Sequence, residues 1–460
     1  MSKQTQGSQQ APENEKVRGL QNRHVQLIAI AGTIGTGLFL GAGRSISLTG
    51  PSIMLVYMIT GGFMFLMMRA LGELLYRDPN QHTFIHFIGK YLGPGYGYFA
   101  GLSYWLSLIF IGMAELTAVG EYVRFWFPSW PAWIIQIVFL VVLSMVNLIA
   151  VKLFGEMEFW FGMIKIVAIV GLIVTAIFML LTNFQTSQGV VSLANITDNF
   201  HMFPNGAKSF IIAFQMVFFS YLVIEFVGIT TSETANPRKV LPKAIKDLPI
   251  RIIIFYVGSL IAIMSIFPWR QLPADASPFV MVFKLAGIKW AAALINFVVL
   301  TSAASSLNST LFSTGRQLFQ MASETPNSFT KRFNLDRLSR QGVPSAAIIT
   351  SAIVVGASAL ISVIPGISDA FALITASSSG VYISIYALIM LAHWQYRKSE
   401  DFMADGYLMP AYKVLTPVTL VFFAFVFVTL FMQSSTLYGA IGATIWVIAF
   451  GGYSYFKFRK

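Results

Sequence analysis

Ile30-Ala-Gly-Thr-Ile-Gly-Thr-Gly-Leu-Phe-Leu-Gly-Ala-Gly43 crowds Gly32, Gly35 and Gly37, with Thr33 and Thr36, into the middle of an apolar stretch spanning 25–46. That stretch is long enough to cross a bilayer. Each Gly in a helix interior costs about 1 kcal/mol relative to Ala. At membrane depth, backbone groups freed from a helix are tolerated only where protein or a watery cavity satisfies them. Close packing against a second helix is one reading, since Gly37 and Gly41 make a small-xxx-small pair. Three glycines and two threonines exceed what packing requires. The other reading is a half-helix whose N–H groups at Gly35 to Gly37 face an anion such as a carboxylate. A dinucleotide fingerprint does not fit, because Gly35-x-Gly37 is followed by Gly41 and no strand precedes it.

The composition agrees with a chain in lipid. Of 460 residues, 56% are hydrophobic and 11% charged, against roughly 25% charged in soluble domains. Mean hydropathy is +0.70. A water-soluble globule, a disordered chain, collagen and a coiled coil are excluded. With no Cys, so are a disulfide framework, thiolate zinc sites, iron–sulfur clusters and a Cys nucleophile. Apolar segments recur along the chain and predict twelve spans, at 25–46, 51–74, 98–124, 131–151, 157–182, 208–231, 250–268, 290–315, 345–364, 370–394, 410–432 and 435–456. The expectation is an all-α integral membrane protein.

The first 22 residues are polar and show no signal-peptide pattern. With the amino terminus in the cytoplasm, twelve crossings return the carboxyl terminus there. The 31 Lys and Arg then favour the cytoplasmic side about fourfold, as the positive-inside rule requires. The net charge of +12 is thus a topology signal. A nucleic-acid patch is the rival reading, but Arg238, Lys239, Lys243, Lys246 and Arg251 cluster beside helix ends.

Segment six, Phe218-Phe-Ser-Tyr-Leu-Val-Ile-Glu225-Phe-Val-Gly-Ile-Thr-Thr-Ser-Glu233, offers a counterpart five segments after the first. Two interrupted helices at matching positions of two five-helix halves form the inverted-repeat pattern of secondary transporters, with substrate between the breaks. Three ionisable residues lie inside predicted spans: Glu115, Lys165 and Glu225. Unpaired, each costs roughly 2.5–3.5 kcal/mol. They must pair, change protonation state or face a hydrated cavity. A structural ion pair or a neutral, hydrogen-bonded carboxyl is the plain alternative; a proton-coupling role is the sharper one. Segment eight carries Asn296, Thr301, Ser302, Ser305, Ser306, Asn308 and Ser309. Interhelical hydrogen bonds explain most such stripes, although paired hydroxyls also suit a sodium ion. Segment ten, with Ser377, Ser378, Ser379 and Gly380, is equally open. His82 and His86 are four apart but Thr83 replaces the Glu of a zinc motif, so no metal site is expected. No Gly-x-Ser-x-Gly elbow or phosphate loop occurs, which leaves an ATP-driven pump or a hydrolase without support. No cofactor is expected, and Gln317 to Pro344 is too short for a separate domain.

Four stretches together resemble the amino-acid permeases of the amino acid-polyamine-organocation superfamily. They are Asn22-Arg-His-Val-Gln-Leu-Ile-Ala-Ile with Gly35-Thr-Gly-Leu-Phe39, Gly155-Glu-Met-Glu-Phe-Trp-Phe with Ile164-Lys165, Ser232-Glu-Thr-Ala-Asn-Pro-Arg-Lys-Val-Leu-Pro-Lys-Ala-Ile245, and Asn296-Phe-Val-Val-Leu-Thr-Ser-Ala-Ala-Ser-Ser-Leu-Asn-Ser309. Within that family, the bacterial permeases for alanine, serine and glycine, D-isomers included, are the most similar. The resemblance implies a LeuT-type fold of five-plus-five inverted repeats with two further helices and with the first and sixth helices broken. A polar cytoplasmic tail (1–22) would precede one transporter domain (23–460), with repeat one near 23–182, repeat two near 208–395 and the extra helices near 410–456.

The resemblance also implies roles. Thr33, Ile34, Gly35, Thr36 and Gly37 match the unwound segment that holds the substrate's carboxylate. Phe219, Ser220, Tyr221, Leu222 and Glu225 match the broken sixth helix, whose carbonyls receive the ammonium while Phe219 closes over it. Lys165 matches the fifth-helix lysine standing where sodium-coupled relatives place a cation, and Glu115 a common acidic position on the third helix; with Glu225 they are the proton-coupling candidates. Relatives usually have Gly where this chain has Val223, which suits small substrates by shrinking the pocket. The expected function is import of serine, alanine or glycine by proton symport at the plasma membrane. Its partners would be the amino acid, protons and lipid, with no nucleic acid and no obligate protein partner. An exchanger, a carrier of larger neutral amino acids and a non-transporting receptor are the alternatives; no enzymatic activity is expected.

Overall fold

The computed structural model describes residues 34–459 except 82, 150, 188, 199, 233–235, 274–275, 286, 340–341 and 365–368. Thr33 and the polar tail lie outside the described residues. Among those described, the chain is almost wholly helical, and its strands are one hairpin, Gln185–Thr186 with Gly189–Val190.

Eight helical stretches are long and apolar enough to cross a membrane, and Ala132–Ile149, Gly206–Phe219 and Ser345–Ile361 are shorter apolar helices. All of them fall on predicted segments. The stretch Gly41–Arg77 joins the first two, because Gly50, at φ 56°, and Pro51 make a single tight turn between them. Proline tolerates that position since it needs no N–H there. The helix Lys289–Glu324 runs past the expected end of segment eight.

Burial sorts the helices into centre and periphery. Pro94–Arg124 and Ala370–Tyr396 are the most deeply enclosed and pack on each other. Lys289–Glu324 packs along the first of them. Ser434–Lys457 and Glu158–Leu181 are the least enclosed, and in the latter Val174, Phe178 and Leu181 are 58%, 63% and 79% exposed. Exposed apolar rows of this size belong against lipid.

Polar anchors tie the ends together. The buried Glu73 is ion-paired with the Arg397 side chain, whose Nη2 donates to Glu73 Oε2 at 2.8 Å and whose Nε stands 2.5 Å from Oε1. Met409 N–H also donates to Glu73 Oε2, at 2.7 Å. At the surface, the Lys90 ammonium hydrogen-bonds Asp401 at 2.6 Å and holds its carboxyl below the usual carboxylate range. Arg44 is paired with Asp369, whose Oδ1 caps the helix Ala370–Tyr396 at Ala372 N–H, at 2.9 Å.

Candidate functional site

The first and sixth segments meet at the centre of this frame. Among the described residues Gly35 is extended, at φ −130° and ψ −161°, and is followed by the helical pieces Thr36–Phe39 and, after Leu40, Gly41–Thr49. Segment six forms the helix Gly206–Phe219, tightens so that Tyr221 and Leu222 N–H donate to the carbonyls of Phe218 and Phe219, and resumes as Phe226–Ser232. Between the two pieces Val223 sits at φ 68°. That left-handed conformation is a genuine outlier for a β-branched residue, of order 1–3 kcal/mol. It explains why Gly suits this position.

The two breaks touch. A Cβ on Gly37 would stand 2.7 Å from Ser220 Cα, and one on Gly35 would stand 2.8 Å from Glu115 Oε1. Only a residue without a side chain lets the segments approach so closely. Between them lies a small cavity of about 30 Å³, lined by Gly35, Gly37, Glu115, Phe219, Ser220, Leu222, Val223 and Ser306 among others. Thr36 N–H donates to Glu115 Oε1 at 3.4 Å. A carboxyl group, an aromatic ring and small polar side chains therefore converge on one small cavity, with the Thr36 N–H bonded to the same carboxyl group.

The remaining sequence-predicted residues are close by but face elsewhere. Ile34 and Tyr221 line a second small cavity with Arg251, Ile252 and Tyr256. Tyr221 OH donates to the Tyr57 carbonyl at 2.9 Å, and Tyr256 OH to the Ser220 carbonyl at 2.9 Å, so tyrosines brace the turn from behind. Glu225 is fully buried and accepts from Tyr382 OH at 3.2 Å and from Tyr386 OH at 2.7 Å. Lys165, 1% exposed, faces two carboxylates, Glu158 and Glu115.

Glu158 is the residue that sequence reasoning missed. It lies in the quoted Gly155-Glu-Met-Glu stretch, at the edge of segment five, where a carboxylate reads as interfacial. Here it is buried and accepts from Ser305 Oγ at 3.1 Å and Ser309 Oγ at 2.6 Å. Its spacing of seven from Lys165 puts both on one helical face, which was the available signal. Of the rest of the segment-eight stripe, the two asparagines bond between helices, Asn296 Nδ2 donating to the Tyr122 carbonyl at 2.8 Å and Asn147 Nδ2 to Asn308 Oδ1 at 2.7 Å, while Thr301 Oγ1 donates to the Val298 carbonyl of its own helix at 2.8 Å. In segment ten, Ser378 Oγ donates to the Ser107 carbonyl at 3.3 Å. His86 is exposed on the helix Phe84–Leu92, and His82 lies outside the described residues.

The family model described as "Amino acid permease" matches residues 24–453. The chain belongs to the amino acid permease family. This permease is 50% identical to the DL-alanine permease SerP2 of Lactococcus lactis, over 96% of this chain and 95% of the relative. It is 48% identical to that organism's serine permease SerP1, covering 96% and 98% respectively. With the D-serine/D-alanine/glycine transporter of Escherichia coli K12 it shares 44% identity over 96% of this chain and 94% of the other. The permease is an integral membrane transporter and not an enzyme.

Proposed function

We propose that this permease imports serine, alanine or glycine, in D- or L-form, across the plasma membrane by proton symport with alternating access. The observation that carries the reading is the contact of the extended Gly35 stretch with the Ser220 turn of segment six around a small cavity. The named substrates of the relatives set the size class. In this reading Ile34, Gly35, Thr36 and Gly37, with Thr33, present backbone N–H groups to the amino acid's carboxylate. The carbonyls of Phe219, Ser220, Tyr221 and Leu222 receive its ammonium, and the Phe219 ring covers it.

Glu115, Lys165 and Glu225 form the ionisable set through which protons couple to transport. Glu225 acts from behind the turn, through Tyr382 and Tyr386. The architecture that accompanies this mechanism is twelve spans in a LeuT-type pair of five-helix repeats, near 23–182 and 208–395, with helices near 410–456 outside the repeats and both termini in the cytoplasm. One bundle rocks against the other around a fixed site.

Radiolabelled serine uptake into proteoliposomes, with and without an imposed pH gradient, tests the proposal. Accumulation above equilibrium only with the acidic side outside supports symport. Exchange without net accumulation would make the protein an antiporter, and binding without uptake a receptor.

A further inference from the structure

The hydrogen bond from Thr36 N–H to Glu115 Oε1 occupies a donor that the reading above assigns to the substrate's carboxylate. Glu115 Oε1 also presses on the site where a Gly35 Cβ would be. A ligand carboxylate on the Gly35 to Gly37 backbone therefore arrives against a carboxyl group already in place. Two carboxylates in one enclosed site do not both stay ionised; they share a proton.

The surroundings show which acid takes it. Lys165 supplies one positive charge opposite two carboxylates. Ser305 and Ser309 both donate to Glu158 Oε2, so Glu158 is already served by two hydroxyls of the protein. Glu115 is the less satisfied of the two acids. Its Oε2 has no hydrogen-bond partner among the described residues, and neither has Thr36 Oγ1, though Glu115 is 3% and Thr36 1% exposed.

The ionisable groups facing Glu115 are Lys165 and Tyr122. From the other elements packed on its helix, Ala370–Tyr396 turns Tyr382 and Tyr386 to Glu225 and His393 to Glu73, and Phe84–Leu92 turns Lys90 to Asp401 and leaves His86 exposed. Ser345–Ile361 and Ala132–Ile149 carry no charged residue, and Lys289–Glu324 presents Ser306 to the cavity. Its own charged residues lie toward its ends, at Lys289, Arg316 and Glu324.

We propose that Glu115 is a tethered competitor for the substrate's carboxylate: ionised, it holds the Thr36 N–H, and on taking a proton it yields that donor to the ligand. The proton comes from water on the side to which the cavity opens, forms one O–H bond on the Glu115 carboxylate, and leaves from it on the opposite side. One amino acid then binds with one proton, and neither crosses alone. This deepens the symport reading and rests on it.

Calorimetric titration of the purified full-length protein with L-serine, in buffers of differing ionisation enthalpy, counts protons taken up per serine bound. Wild-type protein should take up one proton wherever Glu115 starts ionised, with Kd rising tenfold per pH unit in that range. Glu115→Gln should bind serine without proton uptake and with an affinity independent of pH. Undiminished uptake in Glu115→Gln would overturn the inference. So would wild-type binding with no proton uptake and a flat affinity, a result that needs no variant and leaves the choice of substrate intact. Failure to bind serine, alanine or glycine at all would instead remove the substrate reading beneath it.

Discussion

Replacing Gly37 by Ala tests the contact on which the site is built. The added Cβ would stand 2.7 Å from Ser220 Cα and 2.9 Å from Ser220 Oγ. Carbon atoms pack comfortably at about 3.5–4.0 Å, so the first segment and the Ser220 turn must part by roughly 1 Å. The near atom is backbone, which no rotamer change can move aside. Overpacking on this scale costs about 1–3 kcal/mol, and a 1 Å misplacement of binding groups can cost up to ~100-fold in rate. Initial serine uptake by Gly37→Ala, normalised to protein in the membrane, should fall at least about tenfold, with a lower unfolding temperature in detergent. Gly62→Ala is the matched control. It lies within the helix Ile53–Arg77 and nothing stands within 4 Å of its Cβ position, so uptake should be unchanged and stability equal or higher by about 0.5–1 kcal/mol. Wild-type uptake in Gly37→Ala would refute the argument that these segments must touch.

Further outcomes follow from the buried charges. Lys165→Met should abolish accumulation driven by a pH gradient while leaving some serine binding; undiminished proton-driven uptake would remove Lys165 from the coupling set. Glu225→Gln replaces the acceptor of two tyrosine hydroxyls and should weaken transport or shift its pH optimum, whereas an unaltered pH profile would count against a coupling role. Glu73→Ala strands the Arg397 guanidinium in a buried site; thermal unfolding should show a loss of about 3–5 kcal/mol, and a loss below about 1 would contradict the pairing. Asp401 has its carboxyl lowered by the Lys90 hydrogen bond. Its contribution is present at neutral pH and fades as pH falls through its own titration, below the ordinary value of 3.8. The Asp401→Asn variant should melt slightly lower than wild type at pH 7, and the gap should close in acid.

Much of this was legible because membranes simplify sequences. Spanning segments must be long and apolar, so their positions show through hydropathy alone, and Glu115, Lys165 and Glu225 stand out against that background. The glycine run at 32–37 reads as an interruption; of it the structure describes Gly35, which is extended, and the helical piece from Thr36, while Gly32 and Thr33 lie outside the described residues. What stayed hidden depends on facing direction. Ile34 and Tyr221 share segments with Gly35 and Ser220 yet line a different cavity, because these residues lie outside regular helix, where no sequence period sets which way a side chain faces. Glu158 was missed because proximity to a segment's end looks like proximity to water. Val223 offered no turn signal, since a β-branched residue is the last expected at positive φ; only its place in a family pattern marked it.

The mechanism turns on where the amino acid sits. A structure determined by electron microscopy with L-serine bound should show its carboxylate on the N–H groups of Gly35 to Gly37 and its ammonium on the carbonyls of Phe219 to Leu222, with Glu115 withdrawn from Thr36. Serine lodged away from both interrupted segments, or the Thr36–Glu115 bond intact beneath it, would contradict the mechanism.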